Sequence, residues 1–347
     1  MAAPRLVCHI GTYKTGSTAI QAFMRSNRDA LYSNGVAYPL FNGDLQNHTF
    51  LIQSLKQGNA FGLDDCLAKI QYCIDHYDPH TVILSSEHFW PLSPTHVNEL
   101  FGRLVGIFSE ISIIIYLRHQ RDLWVSLYAQ QSKELVVNSR GAKWGTTDYL
   151  AEDIVDHAMF YSRVLDPYRE LIGANSLNAR IYERSRFPDQ DVVKDFCILC
   201  GIDVGAYPRY QKQLNDSLAW KSVEVSKALA DTFGKSQYAK QASAIFRSGC
   251  VLMHQNGFHE WLGNAPCYLL PKEQKELIDF YSNDNAILSS KYLNDEELPL
   301  SPMELAVSEQ NLHDIPKDEI EFFIDHFISR ADFPELPRTS LKSILSM

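Results

Sequence analysis

A run of small and hydroxylated residues with one lysine stands near the start of the chain, Gly11-Thr-Tyr-Lys-Thr-Gly-Ser-Thr18. Its two glycines allow a tight turn that directs successive N–H groups inward, and Lys14 adds a full positive charge. If a helix follows, its N-terminus adds partial positive charge. The run therefore predicts an anion-binding loop, and the alternative is a glycine-bearing turn without a chemical role.

The position of the lysine separates this loop from the metal-dependent phosphate loops. Those have the pattern G-x-x-x-x-G-K-[ST], in which the lysine follows the second glycine and the next hydroxyl binds Mg²⁺. Here Lys14 precedes Gly16 by two positions, and we find no predicted strand followed by an aspartate suited to Mg²⁺. The sequence therefore predicts phosphate binding that requires no metal.

This run resembles the 5′-phosphosulfate loop of sulfotransferases, which use 3′-phosphoadenosine-5′-phosphosulfate (PAPS) as sulfonate donor. The resemblance implies PAPS as cofactor, adenosine 3′,5′-bisphosphate as product and a catalytic role for Lys14. It also implies a set of donor-binding residues in the loop: Gly11, Tyr13, Lys14, Thr15, Gly16, Ser17 and Thr18.

Two further patterns of that family follow in order. Arg118 ends an apolar stretch and Ser126 lies eight residues later, as do the arginine and serine that bind the 3′-phosphate in the family. Tyr182-Glu183 resembles a tyrosine–glutamate pair whose tyrosine lies near the adenine ring. The alternatives are a surface arginine, an ordinary helical serine and a core tyrosine. The late basic-glycine segment that helps to hold the 3′-phosphate in cytosolic members is not found.

Proton removal from an acceptor hydroxyl needs a base, and Ser85-Ser-Glu-His88 offers Glu87 and His88 side by side. Cytosolic sulfotransferases have a histidine at the corresponding strand end, and several carbohydrate-directed members have a glutamate. Adjacent side chains of an extended strand end point to opposite faces, so we expect one of them to face the acceptor and favour Glu87. His48 is a weaker candidate for acceptor binding, and a surface or core histidine is the alternative.

Strand-like and helix-like patterns alternate along the first 205 residues, which predicts an α/β fold with a parallel sheet flanked by helices. Because ligands of such sheets bind at the carboxyl ends of the strands, the polar residues after each strand should line one crevice. The predicted strands are residues 5–10, 34–39, 80–90, 109–117 and 177–183, and the predicted helices include residues 20–31, 51–77 with a break near Gly58, 95–108, 123–136 and 158–172.

From about residue 205 the pattern becomes mainly helical. We therefore predict a single domain over residues 1–347, in which an α/β nucleotide-binding core, 1–205, is covered by a helical C-terminal extension, 206–347. One amphipathic helix is expected in the tail, over residues 317–330.

Net charge, cysteine content and apolar runs argue against several classes of partner and site. The formal charge of −10 argues against nucleic acid and against an acidic membrane surface as partners. Seven scattered cysteines do not form a disulfide framework, and the C-x-x-C pair Cys197 and Cys200 is expected in the core. No apolar run reaches 18 residues and the first strand begins near residue 5, so we expect a cytoplasmic protein without an integral membrane segment. Because Golgi members of the resembled family carry a membrane anchor, the resemblance then implies a bacterial type.

These observations predict in-line transfer of a sulfonate group from PAPS to an acceptor hydroxyl, with a carbohydrate as the expected acceptor. Polysaccharides, lipid-linked sugars and small metabolites all fit this expectation. Two alternatives remain open: a P-loop small-molecule kinase, which would need Mg²⁺ and ATP, and a nucleotide-binding protein without catalysis.

Overall fold

The computed structural model describes residues 3–41, 47–133, 158–208, 217–233, 237–263, 271–301 and 314–330. The chain forms two compact units. The first, here called the sheet unit, comprises residues 1–119, 154–212 and 281–299, and the second, the helical unit, comprises residues 120–153, 213–280 and 300–347. The units are thus assembled from alternating segments of the chain.

Five parallel strands form the sheet of the sheet unit, in the spatial order β2-β3-β1-β4-β5. The central strands are almost entirely apolar, as expected for parallel strands covered on both faces. This arrangement confirms the predicted α/β fold. The strand bounds are β1 Arg5–His9, β2 Val36–Ala37, β3 Thr81–Ser85, β4 Glu110–Leu117 and β5 Leu177–Ile181.

Twelve helices are described, besides short 3₁₀ turns, and most lie where helical patterns were predicted. In chain order they are α1 Ser17–Ser26, α2 Arg28–Ser33, α3 Thr49–Lys56, α4 Ala60–Tyr77, α5 Pro94–Val105, α6 Gln120–Lys133, α7 Tyr161–Ile172, α8 Val192–Cys200, α9 Trp220–Phe233, α10 Ala239–Gln255, α11 Pro271–Tyr292 and α12 Lys317–Arg330. None of these described helices is long and apolar enough to cross a membrane.

Two of the differences between the predicted and the observed element boundaries have a local cause. The helix predicted through residue 31 is broken between α1 and α2, where the Asn27 side-chain amide donates to the Phe23 carbonyl at 2.9 Å. The strand predicted over residues 80–90 ends at Ser85, because Glu87–Phe89 forms a 3₁₀ turn instead. The predicted break near Gly58 is present between α3 and α4.

One core layer packs α1 and α8 against the sheet. Phe23 and Phe196 meet strand residues such as Ile114 there, and all three are fully or almost fully buried. Burial of each such side chain contributes about 1.5–3 kcal/mol to folding. Cys197 and Cys200 belong to the same layer, as expected, and burial raises the pKa of Cys197 to about 12.

The helical unit contains a buried ion pair. Lys221 of α9 donates to Glu319 of α12 at 2.7 Å, and the indole N–H of Trp261 donates to the same carboxylate at 2.7 Å. The predicted tail helix matches α12 in its bounds. A short antiparallel pair, β6 Ser217–Leu218 and β7 Leu262–Gly263, also lies in this unit. The predicted packing of residues 206–347 onto the core stays a prediction.

Candidate active site

The segment between β1 and α1 forms the predicted loop. Gly11, Lys14 and Gly16 have positive φ angles of 52°, 63° and 83°. At Gly11 a Cβ atom would lie 2.8 Å from the Ser17 hydroxyl oxygen and 3.3 Å from Glu87 Cα, so the close approach of these residues requires glycine. Lys14 has an exposed side chain and adopts a left-handed conformation that costs a non-glycine residue about 1–2 kcal/mol.

Hydroxyl groups inside the loop hold its shape. The Thr15 hydroxyl donates to the Thr12 carbonyl at 2.8 Å, and the Thr12 hydroxyl donates to the Tyr116 carbonyl on β4 at 2.8 Å. Within the described ranges, the N–H groups of residues 15–18 donate to no other residue. The buried Ser17 hydroxyl likewise has no partner in the described structure. Four N–H groups and one hydroxyl at a helix N-terminus fit a multiply charged anion.

Glu87 lies directly beside this loop. The 3₁₀ turn that contains it is capped by Ser86, whose hydroxyl accepts a hydrogen bond from the His88 N–H at 3.2 Å. Glu87 and His88 are therefore not neighbours on an extended strand, and the expectation that they point to opposite faces for that reason was wrong. One Glu87 carboxylate oxygen accepts a hydrogen bond from the buried Gln21 side chain of α1 at 2.9 Å.

Tyr13, in the loop, feels the charge of the same carboxylate. Its pKa is raised first by burial of the phenol and then by the negative charge of Glu87. The structure thus brings Tyr13, Gln21 and Glu87 together from the loop, the helix and the end of β3. Gln21 was not recognised from the sequence, although it lies one helical turn after Ser17.

Tyr182 lies on the other side of the loop. Its backbone N–H donates to the Leu117 carbonyl at 2.6 Å, which continues the β4–β5 pairing by one residue. A Cβ atom at Gly16 would lie 3.4 Å from the Tyr182 ring and 2.8 Å from Val192 Cγ1. A cavity of about 270 Å³ opens beside these residues.

Arg118 and Ser126 belong to different units. Arg118 follows β4 in the sheet unit, is half-buried, and its carbonyl accepts a hydrogen bond from the Tyr161 hydroxyl at 2.8 Å. Ser126 lies on α6 in the helical unit. Their joint binding of a 3′-phosphate stays a prediction. Within the described ranges, no three His, Cys, Asp or Glu side chains cluster as metal ligands would.

His48 is fully buried and bonded through both ring nitrogens. Nε2 donates to the Pro39 carbonyl at 2.7 Å and Nδ1 accepts from the Ser85 N–H at 2.8 Å, with the protonated nitrogen assigned from these partners. Burial lowers the pKa of His48 to about 4. This environment favours the alternative of a core histidine, and acceptor binding by His48 stays a prediction.

A second buried histidine, His9, extends this network. Its Nδ1 lies 2.8 Å from the Ser85 hydroxyl, and burial lowers its pKa to about 3. The two histidines thus hold the end of β3 just before Glu87. Sequence reasoning did not identify His9, although a histidine inside an otherwise apolar strand is a signal that could have been followed.

Comparisons with known proteins find similarity both in sequence and in structure. No model of a known protein family matches the chain. An uncharacterized protein of Archaeoglobus fulgidus is 27% identical over 232 residues, which cover 59% of this chain and 60% of that protein, so the match spans less than two thirds of the relative. The crystal structure of a sulfotransferase from Alicyclobacillus acidocaldarius aligns with 84% of this chain and 96% of that chain, with a TM-score of 0.40 and 13% identity. Neither similarity assigns the chain to a family.

Proposed function

We propose that the protein transfers a sulfonate group from PAPS to an acceptor hydroxyl, with a carbohydrate as the acceptor class. The proposal is carried by one observation. The N–H groups of residues 15–18 and the buried Ser17 hydroxyl stand together at the N-terminus of α1, beside the carboxylate of Glu87. An anion site next to a carboxylate base is what group transfer from an anionic donor needs.

The residues of the loop fit the 5′ end of such a donor. The N–H groups and the Ser17 hydroxyl would donate hydrogen bonds to its phosphate oxygens, and Lys14 would neutralise the charge that gathers on the leaving phosphate. Tyr182 and the adjoining cavity lie next to Gly16, on the side where the adenosine would extend. Arg118 and Ser126 are proposed to bind the 3′-phosphate.

The donor supplies the sulfonate group, and Glu87 supplies the base. As the acceptor oxygen forms its bond to sulfur, the bond between sulfur and the 5′-phosphate oxygen breaks. The hydroxyl proton moves to Glu87, and adenosine 3′,5′-bisphosphate leaves. The position of Lys14 before Gly16, without the G-K-[ST] pattern, favours this reaction over Mg²⁺-dependent phosphoryl transfer.

Calorimetric titration with adenosine 3′,5′-bisphosphate tests the donor site directly. We expect binding without Mg²⁺, and weaker or no binding of ATP under the same conditions. Lys14→Ala should lower PAPS turnover by about 10²-fold, because one lost charge-stabilising donor costs that much in the transition state. Turnover is measured as transfer of labelled sulfonate to a panel of oligosaccharides.

Two matched variants separate charge from conformation in this experiment. Lys14→Gly relieves the positive φ angle and should lose activity as Lys14→Ala does, since the charge is gone in both. Lys272→Ala removes an exposed lysine of α11 and should retain activity. Full activity of Lys14→Ala, or ATP binding that depends on Mg²⁺, would contradict the proposal.

A further inference from the structure

The cavity beside the loop is enclosed mostly by apolar and aromatic side chains. Gly16 and Ala19 at the start of α1 form one wall, and Tyr182 and Phe187 form another. The remaining wall comes from the start of α8 and nearby residues, which include Val192, Val193 and Val204, and the polar side chains of Gln190 and Asp191 also line it. Such walls suit a planar ring better than a phosphate group. Because the cavity borders Gly16, a ring bound in it can belong to the nucleotide whose 5′ end occupies the loop.

Arg184 is the cationic residue of this cavity lining. It lies in the 3₁₀ turn Arg184–Arg186, its side chain is exposed, and its guanidinium forms no hydrogen bond or ion pair with any described residue. Arg186, in the same turn, is instead paired with Glu183 at 2.9 Å and with Glu296. The two arginines thus share a backbone environment and differ in whether the guanidinium is engaged.

We propose that Arg184 binds the nucleotide by stacking its guanidinium plane on the base, which Tyr182 contacts from the wall of the cavity. This role rests on the proposed function, because it requires a nucleotide at the loop. A guanidinium is planar and weakly hydrated, so it stacks on π-systems more readily than an ammonium group does. An unpaired arginine at a cavity wall can cover a base without first breaking an ion pair.

Calorimetry with adenosine 3′,5′-bisphosphate and with adenosine 5′-phosphate tests this role. Arg184→Ala should weaken the binding of both ligands by about tenfold, because the stacked base is common to both. Arg184→Lys should weaken both nearly as much, since lysine keeps the charge and lacks the plane. Arg186→Ala, the matched control, should bind within about twofold of the wild type.

Each outcome separates this inference from the proposed function. If Arg184→Lys binds as the wild type does while Arg184→Ala does not, the contact is ionic and stacking is overturned. Wild-type affinity of both variants would remove Arg184 from the site and leave the proposed function standing. If the wild-type protein itself binds no adenosine 3′,5′-bisphosphate, the proposed function fails and this inference fails with it.

Discussion

The carboxylate of Glu87 has neighbours that suit a general base. Gln21 donates to one carboxylate oxygen at 2.9 Å, which fixes the plane of the group and leaves the second oxygen for an acceptor hydroxyl. The Gln21 amide is an uncharged donor and orients the carboxylate through this one hydrogen bond. On the loop side, burial and then the negative charge of Glu87 raise the pKa of Tyr13. The assignment of the base to Glu87, and not to His88, stays a proposal.

Substitution of the two base candidates separates their roles. Glu87→Gln should lower sulfonate transfer by at least about 10²-fold, because a positioned base contributes that much, and should retain adenosine 3′,5′-bisphosphate binding. His88→Gln should reduce transfer only a few-fold. The measurements are turnover with the labelled donor and calorimetric binding of the product nucleotide, on each variant and on the wild type.

The reverse pattern would assign the base to His88 and contradict the assignment to Glu87. A wild-type protein that binds the nucleotide and transfers sulfonate to none of a broad acceptor panel would favour the alternative of a binding protein without catalysis. Loss of nucleotide binding in Glu87→Gln would show that the glutamate shapes the loop instead. Such a role is physically reasonable, because a Cβ atom added at Gly11 of the loop would lie only 3.3 Å from Glu87 Cα.

At the scale of secondary-structure elements, Gly16 lies where the start of α1, the end of β5 and the start of α8 meet. It joins the loop to α1, and its Cα faces Tyr182 after β5 and Val192 at the start of α8. Its positive φ angle also turns the N–H groups of the loop toward one side. A side chain at this position would therefore disturb both the nucleotide cavity and the anion site.

Gly16→Ala should destabilise the protein by about 2–4 kcal/mol, since a strained φ angle adds to a steric clash with Val192. Gly58→Ala is the matched control, because Gly58 has a φ of +63° and no atom within 4 Å of an added Cβ. The control should lose only about 1 kcal/mol. Urea denaturation measures both, and calorimetry should show lost nucleotide affinity for Gly16→Ala alone. Equal stability losses would contradict the close packing at Gly16.

Secondary-structure elements could be predicted where the pattern of neighbouring residues determines them. The apolar stretch of β1, the glycine-bearing loop and the amphipathic face of α1 are all encoded within some twenty neighbouring residues. The turn at Glu87 was not predictable in the same way. Its sequence reads as a strand end, but the Ser86 hydroxyl accepts a hydrogen bond from the His88 N–H, and this local bond accompanies a 3₁₀ turn in place of a longer strand.

At the scale of the whole molecule, the local sequence pattern does not report which distant segments pack together. The sequence predicts a mainly helical pattern from about residue 205. Each compact unit is built from separate segments of the chain: residues 120–153 belong to the helical unit and residues 281–299 to the sheet unit. Contacts between segments far apart in sequence decide that division, and periodicity does not report them. The burial of His9 and His48 has the same origin, since each ring depends on Ser85 of a strand remote in sequence.

These two histidines predict how stability depends on pH. Burial lowers the pKa of His48 to about 4 and that of His9 to about 3, below the value of about 6.5 for an unfolded chain. The unfolded state therefore binds more protons between those values, so the stabilisation is complete above pH of about 6.5 and is lost as the pH falls toward the folded pKa values. We expect the free energy of unfolding to fall by on the order of 3–4 kcal/mol per histidine as the pH reaches these folded pKa values.

The variant His48→Gln tests this assignment by the slope of stability against pH, measured by urea denaturation at pH values between 4 and 7. Glutamine does not titrate, so the variant should be less stable at pH 7 and lose less stability on acidification than the wild type. His9 should account for part of the slope that remains. His76→Gln, at an exposed position of α4, is the matched control for the loss of a histidine side chain. An unchanged slope in His48→Gln would mean that the ring takes up its proton equally well in the folded and the unfolded chain, which full burial between Pro39 and Ser85 does not permit.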